Sequence, residues 1–219
     1  MNGWPTLALG LVLGMRHAMD PDHVVAVAAL TARTRRTWSG AWLGAVWGFG
    51  HTLTLTGAGA AIILLNLTLP PRVGLAFEFI VAIALVAVGA LNVGRGAGLA
   101  SSAPTPEPRM ATWRAFGVGL AHGLAGSAAV ALLVLATVRG IWLACGYLAL
   151  FGFGTILGMV LISAGFAAPL TTATRRWPRL GPWVRVATGA LSLAFGAWLM
   201  VQIGIVDGLF LAHPHWTPR

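Results

Sequence analysis

Lysine is absent from this sequence, cysteine occurs once, and only five residues are acidic. A lone cysteine, Cys145, excludes an intrachain disulfide framework and a thiolate metal site. It lies in an apolar run, where it reads as a small packing residue. Charged residues amount to 9% of 219 against 58% hydrophobic, with a mean hydropathy of +0.83. That is too little polar surface to coat a water-soluble globule, whereas recurring apolar stretches of about 20 residues suit a bilayer. The net charge of +9 comes entirely from fourteen arginines. They cluster between apolar spans rather than in one patch, which fits topogenic charge at a membrane surface and argues against a nucleic-acid partner. No basic residue precedes the apolar run Leu7–Gly14, and a polar motif follows it in place of a cleavage site. The run is therefore read as half of a first span and not as a signal peptide.

The hydropathy and the breakers predict an all-α integral membrane protein with six transmembrane spans, at 5–31, 40–66, 74–94, 115–138, 141–167 and 184–206. Loops are expected at Thr34–Gly40, Pro70–Arg72, Gly94–Arg114, Arg139–Gly140 and Thr171–Trp183, with Ser101–Pro108 as a flexible linker. If alternate loops share a side, those after spans one, three and five hold ten arginines, and the opposite side holds Arg72, Arg139 and Arg219. This bias places the first set in the cytoplasm and both termini outside.

The two halves echo each other. Gly14-Met15-Arg16-His17-Ala18 matches Gly119-Leu120-Ala121-His122-Gly123, Gly48-Phe49-Gly50 matches Gly152-Phe153-Gly154, and Val88-Gly89-Ala90 matches Phe195-Gly196-Ala197. The offsets are 105, 104 and 107 residues, so register is kept across all three pairs. With three spans per copy, the second copy enters from the opposite side. That pattern is an inverted 3+3 repeat, whose binding site is expected near the midplane. Residues 1–94 form the first repeat, 95–114 the connecting loop, 115–210 the second repeat and 211–219 a tail. Gly10/Gly14, Gly40/Gly44/Gly48 and Gly154/Gly158 stand at the small-xxx-small spacing that lets helices approach closely.

Chemistry concentrates in Arg16-His17-Ala18-Met19-Asp20-Pro21-Asp22-His23. The segment begins about a dozen apolar residues into the first span, roughly 18 Å along a helix and deep in the hydrocarbon. Ionisable groups cost several kcal/mol each there unless paired, hydrated or liganded. On an unbroken helix Asp22 would point about 140° away from His17. Pro21 is expected to break the helix, letting His17, Asp22 and His23 converge and freeing backbone carbonyls toward a cavity. Imidazole and carboxylate together suit Ni²⁺, Co²⁺, Zn²⁺ or Fe²⁺. Arg16 is expected to pair with Asp20 or to snorkel toward a cavity.

His17-x4-Asp22-His23, within Arg-His-Ala-x-Asp-x-Asp-His, resembles the signature of the nickel–cobalt transporter families, and Gly50-His51-Thr52 resembles the Gly-His-Ser/Thr motif of a later helix in them. The resemblance implies a secondary transporter of nickel or cobalt, with His17, Asp22 and His23 as metal ligands and His51 nearby. A compact six-span variant is the nearer likeness, because Gly123-Leu124-Ala125-Gly126-Ser127-Ala128 carries no carboxylate where larger members of the group have an acidic motif. The metal is the transported cargo, and no prosthetic group is implied.

His122, the repeat partner of His17, joins Asp20, Arg16, Thr52 and Ser127 as a neighbour or pathway candidate. Thr52 and Ser127 offer oxygen ligands but equally serve as interhelical hydrogen-bonding groups. Glu78 reads as a solvated interfacial carboxylate, His213 and His215 as a disordered tail, and the ten tryptophans as interface anchors. Two other readings keep the scaffold: an exporter of another small ion using the motif as a proton relay, and a membrane accessory protein for metalloenzyme maturation. The sequence has no His-Glu-x-x-His, Gly-x-Ser-x-Gly or paired acids placed for hydrolysis, so no enzyme is expected. The partners are then a divalent ion and the lipid bilayer, and a homo-oligomer is compatible with this reading.

Overall fold

The computed structural model describes residues 3–34, 36–64, 70–98, 108–123, 138 and 140–215, which contain helices and no strand. The helices are α1 (Gly3–His17), α2 (Pro21–Thr31), α3 (Thr37–Leu64), α4 (Pro71–Gly96), α5 (Pro108–Gly123), α6 (Ile141–Arg176) and α7 (Leu180–Val201). A π-helical turn, Gln202–Val206, extends α7.

The first span is broken as expected, and by the expected residue. α1 ends at His17, the amides of Met19 and Asp20 close a tight turn onto the carbonyls of Arg16 and His17, and Pro21 opens α2. Proline suits this place because its missing N–H belongs to a turn of helix that has no internal acceptor. Asp20 occupies the N-cap of α2 with extended backbone yet makes no capping bond, because its carboxylate is given to His17.

Among the described residues three helices are long and apolar enough to cross a membrane: Pro71–Gly96, Ile141–Arg176 and Leu180–Val206. The break leaves α1 and α2 each too short to cross alone, and the continuation of α5 lies outside the described residues. The loop expectations need correction, for α3 already begins at Thr37 and α4 at Pro71. Helix α6 runs through Pro169 to Arg176, leaving a turn at Trp177–Arg179, so most of Thr171–Trp183 is helical. Its threonines stay helical by turning their hydroxyls back onto carbonyls, Thr172 and Thr174 onto those of Ala168 and Leu170. Similarly, α4 runs on to Gly96 and α5 begins at Pro108, inside the stretch read as loop.

Helix α1 lies along α6, α3 against α6 and α5, and α4 along α7, while α2 touches α4, α6 and α7. Glycine sets these approaches. A Cβ on Gly44 would stand 2.6 Å from the Met159 carbonyl oxygen, and one on Gly10 would stand 2.8 Å from that of Tyr147. The contacts also come in pairs. Gly14 abuts the carbonyl of Phe151, and Gly119 abuts that of Trp47. Gly154 meets Leu11 and Met15, and Gly50 meets Phe116 and Leu120. Gly89 meets Gly189 and Leu193, and Gly196 meets Ala82 and Val86. In each pair the partners are displaced by 104 to 107 residues, the offsets of the sequence echoes.

Large apolar side chains face outward on most helices, including Ile80, Ile83 and Leu91 of α4 and Leu191, Trp198 and Val201 of α7. So much exposed apolar surface suits a lipid environment and not water. Eight tryptophans are exposed, as interface anchors would be, and Trp216 lies outside the described residues. Trp47 departs from that expectation: it is 1% exposed and packs in the core with Val27, Leu85 and Met159. Cys145 is exposed instead of packed inside.

Candidate metal centre

The helix break and the α3–α5–α6 packing together assemble a histidine cluster. His17 is the last residue of α1, His23 lies in the first turn of α2, His51 is on α3 and His122 near the end of α5. All four are buried. His17 Nε2 lies 2.8 Å from His51 Nε2, and the ring centroids of His17, His23 and His51 are 4.9–5.0 Å apart. One ring nitrogen from each of the three lies within 4.8 Å of the others. Two imidazole nitrogens bound at right angles to one ion, at about 2.0–2.1 Å, stand about 2.9 Å apart. The His17–His51 pair therefore already has the spacing of two ligands on one metal.

The outer hydrogen bonds orient these rings. His17 Nδ1–H donates to Asp20 Oδ2 at 2.9 Å, which leaves the Nε2 lone pair turned toward His51. His23 Nδ1–H donates to the His17 carbonyl at 2.9 Å, and His23 Nε2 is buried with no hydrogen-bond partner. That carbonyl sits at the helix break, so the turn that brings the rings together also fixes a tautomer. A carboxylate or carbonyl behind a ligating imidazole raises its basicity and holds its angle. His51 Nδ1 is also buried and unpartnered, but it is the nitrogen on the other side of the ring from the Nε2 that meets His17, so only Nε2 can share an ion with His17.

Asp22 is half-buried, its Oδ2 4.0 Å from His23 Nε2, and it forms a second close group with Asp20 and His23. Of the sequence candidates, the fold thus gathers His17, His23 and His51, with Asp20 and Asp22 on one side. His122 also reaches the cluster, its ring 5.7 Å from His23 and its Nδ1–H given to the Val118 carbonyl at 3.0 Å, so that buried Nε2 is left unpartnered. Arg16 is exposed and forms no ion pair with Asp20, whose carboxylate turns to His17 instead. Thr52 donates to the Gly152 carbonyl at 3.3 Å and acts between helices. Ser127 lies outside the described residues. The tail is tied down as far as His215, whose amide donates to the Asp207 carbonyl, and Arg72 reaches the carbonyls of Leu211 and Ala212.

Two residues of the site escaped the sequence reading. Trp47 packs edge-on against His23 and His122, and Phe151 lies 5.6 Å from His17. They are repeat equivalents, each the aromatic residue preceding a Gly-Phe-Gly, and that shared position was the available signal.

These features define a membrane-type helical protein with a buried cluster of imidazoles whose ring nitrogens are close enough to share a metal ion. No protein-family model and no solved structure matches the chain. It is 35% identical over 215 residues, 93% of this chain and 94% of the relative, to the urease accessory protein UreH of Bacillus sp. (strain TB-90). At that identity over almost the full length, the chain belongs to the UreH family.

Proposed function

We propose that this protein is a secondary membrane transporter of a divalent transition-metal ion, nickel or cobalt, which it binds between its two halves at His17, His23 and His51 with Asp22 alongside. The observation that carries the reading is the meeting of three buried imidazoles, that of His23 with its Nε2 unpartnered, at a proline-broken helix. An ion stripped of water needs such lone pairs, and apolar packing does not. The paired glycine contacts support an inverted repeat of three spans each, and alternating access would come from rocking of the halves around the site. The arginine bias supports six crossings with both termini outside. An inside-negative potential favours entry of a divalent cation by about 4.6 kcal/mol per 100 mV, which suits import.

The relative's name supports a second reading, a membrane accessory protein that hands a metal to a maturing enzyme. Uptake of Ni²⁺, Co²⁺, Zn²⁺ and Fe²⁺ into proteoliposomes holding only this protein separates the two. Transport of nickel or cobalt that His17→Ala abolishes supports the transporter. Metal binding that depends on His17 and His23 without any transport gives the site to the accessory role. Normal movement of all four ions by His17→Ala would remove the metal centre from both.

A further inference from the structure

Four arginines that the metal site does not use converge where α2, α4, α5 and α7 come together. Arg33 lies two residues beyond α2, Arg95 in the last turn of α4, Arg114 in the second turn of α5 and Arg185 in the second turn of α7. The backbone draws them in, for a Cβ on Gly96 would stand 2.8 Å from the Pro182 carbonyl oxygen. Asn92, one turn before Arg95, is fully buried; it donates to the Ala29 carbonyl at 2.7 Å and accepts from Arg33 Nε.

That single bond leaves much of the guanidinium surface unanswered. Arg33 Nη2, Arg95 Nη1 and Arg185 Nε are each buried with no hydrogen-bond partner among the described residues. Burial, and after it the nearby charges of Arg95, Arg114 and Arg185, lower the Arg33 guanidinium from its ordinary value to about 10. The acidic residues among those described lie elsewhere. Asp20 and Asp22 are at the histidines, Glu78 precedes Arg95 by about 25 Å of helix, Asp207 follows the far end of α7, and Glu107 lies outside the described residues. The starts of α5 and α7 bring partial positive charge and the ends of α2 and α4 partial negative charge, so the guanidiniums set the sign of the cluster. Topogenic arginines need only reach water or headgroups, and that role does not explain N–H groups turned inward against like charge.

We propose that Arg33, Arg95, Arg114 and Arg185 form a binding site for a phosphate-bearing anion, either a lipid phosphodiester headgroup or free phosphate. Forked guanidinium donors match phosphate oxygens in geometry and charge. A bound phosphate supplies acceptors to the unpartnered nitrogens and ties the end of α2, the helix that carries His23, to α4 and α7.

Native mass spectrometry and thermal unfolding of the full chain in neutral detergent test this, with phosphatidylglycerol, phosphatidylcholine or inorganic phosphate added. Wild type is compared with Arg95→Gln/Arg185→Gln and with a control, Arg175→Gln/Arg176→Gln, that removes two arginines outside the cluster. Wild type and control should retain phosphatidylglycerol and melt higher with it, while the cluster variant binds at least about tenfold more weakly, the effect of losing one charge-assisted hydrogen bond. An equal effect of inorganic phosphate at matched concentration assigns the site to the soluble anion; no effect of phosphate assigns it to the lipid. Equal retention by the cluster variant, equal loss in the control, or no response to either anion overturns the site. Should the double variant not fold, Arg114→Gln, at an exposed position, carries the same comparison.

Discussion

At the scale of the residue, metal binding would depend on which ring nitrogens are free and on what holds them. Asp20 gives its carboxylate to a hydrogen bond from His17 instead of capping α2. Asp20→Asn should therefore keep the fold and weaken Ni²⁺ or Co²⁺ binding by roughly 10- to 100-fold, the usual loss when the partner behind a ligating imidazole is removed. Isothermal titration on purified protein reads this directly. An unchanged affinity would mean that the ring of His17 is held by packing alone. Because metal competes with protons for the same imidazoles, affinity should also fall as the medium is acidified. The gathering of His17, His23 and His51 was legible in the sequence because ionisable side chains in an apolar run have few reasons to persist unless they meet. The partner of Asp20 was not, since a neighbouring arginine and a histidine one turn back compete for it and only the turn geometry chooses. Trp47 was misread for a similar reason: a tryptophan's default place at the interface says nothing of one that happens to fall on an inward face.

At the scale of the element, the decisive object is the break between α1 and α2. Pro21 starts a new helix in a direction that lets His23 return to the His17 carbonyl. Pro21→Ala restores an amide and removes the clash that stops α1 from continuing, so the segment regains a choice between one helix and two. We expect at least a tenfold loss of metal affinity with helix content by circular dichroism unchanged or slightly raised; retained affinity would show that the tertiary contacts of α2 impose the break without the proline. Helix contacts give a second expectation. Gly14 and Gly119 press on the carbonyls of Phe151 and Trp47 in equivalent ways, so Gly14→Ala and Gly119→Ala should each destabilise by about 1–3 kcal/mol, by overpacking of a close interface. A large effect at one and none at the other, in thermal unfolding, would break the equivalence. Helix existence and the break were readable from apolar runs and one proline. The ends were not: the threonines and the proline before Arg176 carry loop signals, and the burial of Ala167 and Thr171 against neighbouring helices overrides them, with the hydroxyls accommodated on helix carbonyls.

At the scale of the whole molecule, the question is whether the halves face opposite ways. Partner helices repeat across the chain: α1 with α6 and α3 with α5 occupy matching places, while α3 with α6 and α4 with α7 each pair a helix with its own counterpart. That arrangement follows from a two-fold axis running between the halves, and only an odd number of crossings per half lets the axis lie in the membrane plane. On the proposed topology, the arginine bias would turn the loop ends of α2, α4 and α6 to the cytoplasm, with the four-arginine cluster on that side. Topology is testable without metal. In a Cys145→Ala background, Gly140→Cys and Pro214→Cys should react with a membrane-impermeant maleimide on intact cells. Thr34→Cys and Trp177→Cys should react only after permeabilisation. Gly140 and Trp177 bound the same helix, α6, so labelling of both from one side would mean that α6 does not cross. Without that crossing the second half cannot be the inverted copy of the first, and the histidines of α1, α2 and α3 would have to serve an ion that never passes between two halves.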